Sequence, residues 1–173
     1  MKAPTIEESL ALLPNSVKVV RVSELTGFRR WVFNRSKPLG QCFGSVMAIA
    51  DSAWESALLS EDGRWSFYSV TQHELKHHYQ SKGLLLPLFI LGYLVFPLPI
   101  GFSFRALYEL GGFRQTLTCY SQMLAAKGIW SMKAVEEEAL FLASYFRGSF
   151  YGWMGWLLPT KFWVWALLRG LNK

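Results

Sequence analysis

The chain of 173 residues contains three histidines, and all fall within one short stretch: His73, His77 and His78. On a helix, residues four apart share a face, so His73 and His77 can present two imidazoles to one metal ion. Glu74 follows the first of them and projects about 100° around the axis, towards a water on the metal rather than the metal itself. Zinc lowers the pKa of such a water towards about 7, and a carboxylate so placed takes its proton for attack on a carbonyl. The run His73-Glu74-Leu75-Lys76-His77 therefore fits zinc-assisted hydrolysis with Glu74 as general base. The bland alternative is a chance recurrence of these residue types on a solvated helix. Against it, the preceding Trp65-Ser66-Phe67-Tyr68-Ser69-Val70 supplies apolar residues that can bury the helix.

A catalytic zinc takes three protein ligands and an open position. His78 lies five residues from His73 and faces off to one side, which reads as a surface position or one behind the ligands. Gln80, seven residues after His73, shares the metal-binding face; it reads equally as a hydrogen-bond partner behind the ligands and as a plain polar residue. Beyond His78 there is no histidine or aspartate, and the remaining acids are Glu109, Glu136, Glu137 and Glu138. The last three are expected to begin a helix after Ser131, where the helix dipole favours acids without further purpose. Glu109 is the lone acid of an otherwise apolar helical stretch, residues 102–112, and burying a carboxylate there requires a partner. Zinc is one such partner and makes Glu109 the third ligand. Arg105, four residues earlier on the same face, is the other.

These residues need elements to hold them. Thr5 and Glu8 have the spacing of a capping box at the head of a short helix, residues 5–13. Residues 17–22, rich in β-branched side chains, read as a strand, and residues 42–50 as a second strand. Residues 28–36 are basic and aromatic without a clear period. Glu61-Asp62-Gly63 is a turn signal. From Trp65 onward the pattern is helical: one helix carries His73 to Gln80, another spans residues 104–126, a third follows Ser131, and a last aromatic segment covers residues 150–168. The expected class is α+β, mostly helical with a small N-terminal β-sheet, in a single domain over residues 1–173.

The composition is 51% hydrophobic and 16% aromatic, with a mean hydropathy of +0.19, which is rich for a domain of this size. Residues 83–104 carry no charge before Arg105, yet Pro87, Gly92, Pro97 and Pro99 interrupt them. They read as a buried helix over residues 84–96 and then an extended corner, with a membrane-spanning run as the alternative. Residues 162–168 are apolar all round, to be covered by protein or set into a lipid interface. A net charge of +6 is compatible with several anionic partners, but no Lys/Arg block alternates with aromatics, so nucleic acid is not expected. Cys42 and Cys119 have no metal-ligand spacing and read as free thiols. The N-terminal residues carry Glu7 and Glu8 and lack a long apolar core, so no secretory signal is read, and cytoplasmic residence is the expectation, with membrane association as the alternative.

The His73-Glu74-x-x-His77 run with an isolated Glu109 downstream resembles the gluzincin branch of the zincin metallopeptidases. More narrowly, the chain resembles a set of small zincin-like proteins through the order ending at Gln80, the Pro97-Leu98-Pro99 corner, the helix holding Glu109, and Tyr151-Gly152-Trp153-Met154. The resemblance covers about residues 42–165, and only the first motif is specific. It implies a zincin-like fold, zinc (Zn2+) held by His73, His77 and Glu109, Glu74 as base, and a peptide or protein substrate. It also implies that the strand at residues 42–50 lies along the cleft, where its edge could pair with an extended substrate. Two features depart from the large gluzincin peptidases: position 113 is Phe113 rather than an acid, and the chain is too short for their second domain. Both argue against efficient, general proteolysis. For an oxyanion donor, Tyr79, Tyr108, Tyr120 and Arg114 are candidates by type alone. Two other functional readings stand beside the peptidase. One is a membrane-associated protein using residues 83–104 and 150–168, and the other is a catalytically inactive binding module that keeps the fold.

Overall fold

Thr5 closes the first helix, α1 (Ile6–Ala11), by the expected reciprocal bonds: its hydroxyl accepts from the Glu8 N–H at 3.1 Å, and its own N–H donates to the Glu8 carboxylate at 2.7 Å. The computed structural model describes residues 2–36, 39–83, 99–146, 158–169 and 171. After α1 come β1 (Lys18–Arg21), a 3-10 turn (Val22–Glu24), α2 (Gly27–Ser36), β2 (Gly40–Phe43), β3 (Val46–Ile49), α3 (Asp51–Leu59) and α4 (Glu61–Gly83). The remaining helices are α5 (Pro99–Ala126), α6 (Met132–Tyr145) and α7 (Thr160–Leu168). The class is α+β, mostly helical with one small sheet.

Two local expectations are corrected. Residues 42–50 form no single strand; β2 and β3 pair antiparallel across a tight turn at Gly44-Ser45, where Gly44 takes φ +66. A left-handed residue there is what lets the chain reverse, and glycine adopts it without strain. Glu61-Asp62-Gly63 is no turn but the opening of α4. The Ser60 hydroxyl accepts from the Gly63 N–H at 2.9 Å, as a helix N-cap does. Gly63 is present for close approach, since a Cβ built on it would fall 1.9 Å from the Ser56 carbonyl oxygen on α3. We expect Gly63→Ala to destabilise the fold by about 3 kcal/mol, the upper range for overpacking. In a chain this size that is a Tm loss of roughly 6–12 °C; an unchanged Tm would contradict this packing of α3 on α4. Residues 28–36, left open above, lie within α2.

The chain separates into two compact units, Met1–His78 and Tyr79–Lys173, with the boundary inside α4. In the first unit β3 is the central strand, parallel to β1 and antiparallel to β2. Met47, Ala48 and Ile49 are fully buried because both faces of the sheet are covered. Met47 and Ile49 pack with Ala53 and Ala57 of α3 and Phe67 and Leu75 of α4, whereas Ala48 packs with Val20, Leu25 and Phe33 of α2. This explains the continuous apolar run in β3.

In the second unit Leu110, Leu117 and Leu124 line one stripe of α5. They pack on Val135, Ala139, Leu142 and Phe146 of the α6 segment and on Trp163, Ala166 and Leu167 of α7. Ser131 caps α6 at Ala134, which puts Glu136 to Glu138 beyond the first turn, so the expected dipole placement of these acids is not realised. Glu137 instead lies 4.0 Å from Lys133 on the exposed face. Helix α7 is not buried all round: Trp163 and Leu167 face the core, while Phe162 and Trp165 are exposed. Cys42 and Cys119 are free thiols. Among the described residues no helix is long and apolar enough to cross a membrane. The expected helix at 84–96, the Pro97-Leu98 part of the corner and Tyr151-Gly152-Trp153-Met154 lie outside the described residues.

Candidate metal centre

Helix α4 is continuous from Glu61 to Gly83, so the spacing of its histidines becomes geometry directly. His73 and His77 turn their rings together, with centroids 4.7 Å apart and planes at 75°. Their Nε2 atoms lie 3.0 Å apart. At that distance one Nε2–H donates to the lone pair of the other, so the two ring nitrogens face each other across the same space. Two nitrogens held about 2.0–2.1 Å from a tetrahedral zinc lie about 3.3 Å apart, close to the arrangement seen. His77 is buried and His73 half-buried.

Glu109 stands on α5 and is half-buried. One ligand atom from each of His73, His77 and Glu109 lies within 4.8 Å of the other two. No other group of three metal-ligating side chains comes together among the described residues. Two neutral imidazoles and a carboxylate form a donor set that suits zinc, so the residues present fit the ion. The Arg105 side chain, the alternative partner of Glu109, lies outside the described ones. Gln80, in the last turns of α4, donates to the Tyr108 carbonyl at 3.2 Å, next to Glu109 in sequence. Its amide thus holds the backbone that carries a candidate ligand.

Glu74 is buried at 7% exposure, and its side chain lies against β2 at Gly40. A Cβ on Gly40 would lie 2.9 Å from the Glu74 Cγ and 3.4 Å from its Oε1, so the strand backbone rests directly on this side chain. Cys42 lies two residues along the same strand face. Burial, and then the negative charge of Glu74, push its thiol up to about 12.

Of the two readings of His78, a surface position and one behind the ligands, the structure excludes the first. It is 2% exposed, and its Nδ1 lies 2.7 Å from the Gly44 carbonyl oxygen. A carbonyl only accepts, so Nδ1 carries the proton and donates. Gly40 carries no functional reading in the sequence, and neither does the hairpin turn that His78 binds. A signal for the second existed: Gly44-Ser45 between two β-rich runs is a hairpin signature, and a buried hairpin needs something to hold it.

Of the candidate oxyanion donors, Arg114 is engaged elsewhere: its Nε donates to the Ala166 carbonyl at 2.8 Å, satisfying an unpaired group at the end of α7. Tyr79 is exposed and Tyr120 packs against the helical core. Compared with protein-family models, with curated proteins and with solved structures, the chain finds no match.

Proposed function

We propose that this chain is a zinc-dependent hydrolase with a zincin-like fold, acting on peptide or amide bonds. The observation that carries this reading is the convergence of His73, His77 and Glu109 within 4.8 Å, with the buried Glu74 carboxylate beside the first of them. Nε2 of His73, Nε2 of His77 and a carboxylate oxygen of Glu109 would hold the ion. When bound, zinc supplies Lewis acidity, polarising the scissile carbonyl and acidifying water. Glu74 takes the proton from the attacking water and passes it to the leaving amine nitrogen. Burial keeps bulk water from competing for that proton. Strand β2 is an edge of the sheet, and an extended peptide could lie along it by main-chain hydrogen bonds, which supports a peptide substrate.

The test is metal analysis of the purified chain beside Glu109→Ala, with a mixed peptide library read by mass spectrometry after zinc loading. Losing a partner behind a zinc ligand already costs about 10–100-fold in affinity. Loss of Glu109 itself is therefore expected to weaken zinc binding by roughly 100-fold or more, with helix content unchanged by circular dichroism. Unchanged zinc affinity in Glu109→Ala would make Glu109 a structural carboxylate. A zinc-loaded wild type that cleaves nothing in the library would favour a binding module instead.

A further inference from the structure

We infer that the β2–β3 hairpin is the positioning device for the general base: Gly40 seats β2 against the Glu74 side chain, and His78 locks the hairpin turn to the same helix. The inference rests on the hydrolase reading given above and goes beyond it, because neither residue is a metal ligand or touches the reacting atoms.

Three observations carry it. A Cβ on Gly40 would lie 2.6 Å from Val70 Cγ1 and 2.9 Å from Glu74 Cγ, distances that real side chains do not tolerate. The φ of Gly40 is not positive, so what requires glycine here is close approach and not backbone conformation. The strand backbone therefore takes the space into which the Glu74 stem could otherwise swing. Second, cross-strand pairing sets Gly40 opposite Ile49 and Cys42 opposite Met47, and Ile49 and Met47 face α3 and α4. Gly40 and Cys42 thus present one face of β2 to Glu74, and the influence of Glu74 on the Cys42 thiol agrees with this.

Third, His78 lies four residues after Glu74, on the same face of α4. Its bond to the Gly44 carbonyl fixes the far end of β2. The strand is thereby held at both ends, at Gly40 by contact and at Gly44 by a buried hydrogen bond. Positioning of this kind matters to a base, since misplacement by about 1 Å can cost on the order of 100-fold in rate.

The experiment uses the full chain, zinc-loaded, with Gly40→Ala, His78→Leu and His78→Asn. Zinc content is expected to stay at the wild-type level in all three. On a peptide that the wild type cleaves, kcat is expected to fall by about 10–100-fold for Gly40→Ala and His78→Leu, with KM little changed. His78→Asn, whose amide can donate where Nδ1 did, is expected to recover part of that loss. In a Glu74→Gln background Gly40→Ala is expected to cost nothing further, whereas a general structural defect would multiply with it.

A readout without catalysis uses the metal-free chain with Cys119 replaced by alanine: the rate of Cys42 alkylation against pH. Gly40→Ala is expected to shift this profile when Glu74 is present and to leave it unchanged once Glu74 is glutamine. Multiplying losses in activity, or an equal alkylation shift in both backgrounds, would overturn the inference. If the wild type binds zinc yet cleaves nothing, the hydrolase reading fails, while the alkylation comparison still decides whether Gly40 positions Glu74. Should Gly40→Ala fail to fold, the His78→Leu and His78→Asn pair carries the kinetic test.

Discussion

Replacing either His73 or His77 with alanine is expected to abolish most zinc binding, from an anticipated occupancy of about one ion per molecule to a small fraction of that, as a three-ligand site with an open position implies. The two Nε2 atoms, 3.0 Å apart on consecutive turns of α4, are the nitrogen half of the proposed donor set, and Glu109 alone would not compensate for either. The effect should exceed that of Glu109→Ala, because imidazole is the stronger ligand for this borderline ion. The helix itself should survive, since His73 is half-buried and its removal leaves Phe67 and Leu75 packed in the core of the first unit. Elemental analysis after dialysis, with circular dichroism beside it, measures both quantities. Full occupancy in both variants would end the case for a metal centre on this helix.

The second large effect separates chemistry from metal binding. Glu74→Gln is expected to bind zinc as the wild type does while hydrolysis falls by about 10²–10⁴-fold, the usual worth of a positioned general base. Glutamine keeps the size and hydrogen-bonding shape of the side chain, so the contact with Gly40 persists. What is lost is the capacity to take a proton. The variant also removes a negative charge beside Cys42, so the thiol pKa should fall from about 12, though burial, the larger cause, keeps it above the ordinary value. Faster alkylation of Cys42 at fixed alkaline pH would register that change independently of any substrate. Cleavage by Glu74→Gln at the wild-type rate would rule out the proposed base.

Local chemistry in the sequence was enough to predict several elements. The Thr5–Glu8 box, the β-branched strand at 18–21 and the cap at Ser131 each depend on residues a few positions apart, and each forms as its spacing implies. The His73–His77 pairing belongs to the same class, because helical periodicity alone brings residues four apart together. Glu61-Asp62-Gly63 shows where such reasoning fails: glycine was read as a chain reversal, whereas its role is to admit the Ser56 carbonyl of α3.

Contacts between residues far apart in the chain had to come from the tertiary structure. Glu109 lies thirty-two positions beyond His77, and no period links them; the sequence showed a carboxylate in need of a partner and left zinc and Arg105 both open. The fold brings its carboxylate to the histidines. His78 is a related case, for which the sequence leaves a surface position and one behind the ligands both open. Its neighbour Lys76 suggested a solvated face, but burial is set by what packs against a helix, and here that is a hairpin more than thirty residues earlier. Gly40 carried no signal at all, since the lack of a side chain acquires meaning only when another side chain occupies the space. The sequence by itself therefore determined which residues could ligate a metal and take a proton, because those abilities belong to the residue types and to helical spacing. Which carboxylate comes near the two imidazoles, and which backbone lies against Glu74, were decided by packing between distant segments.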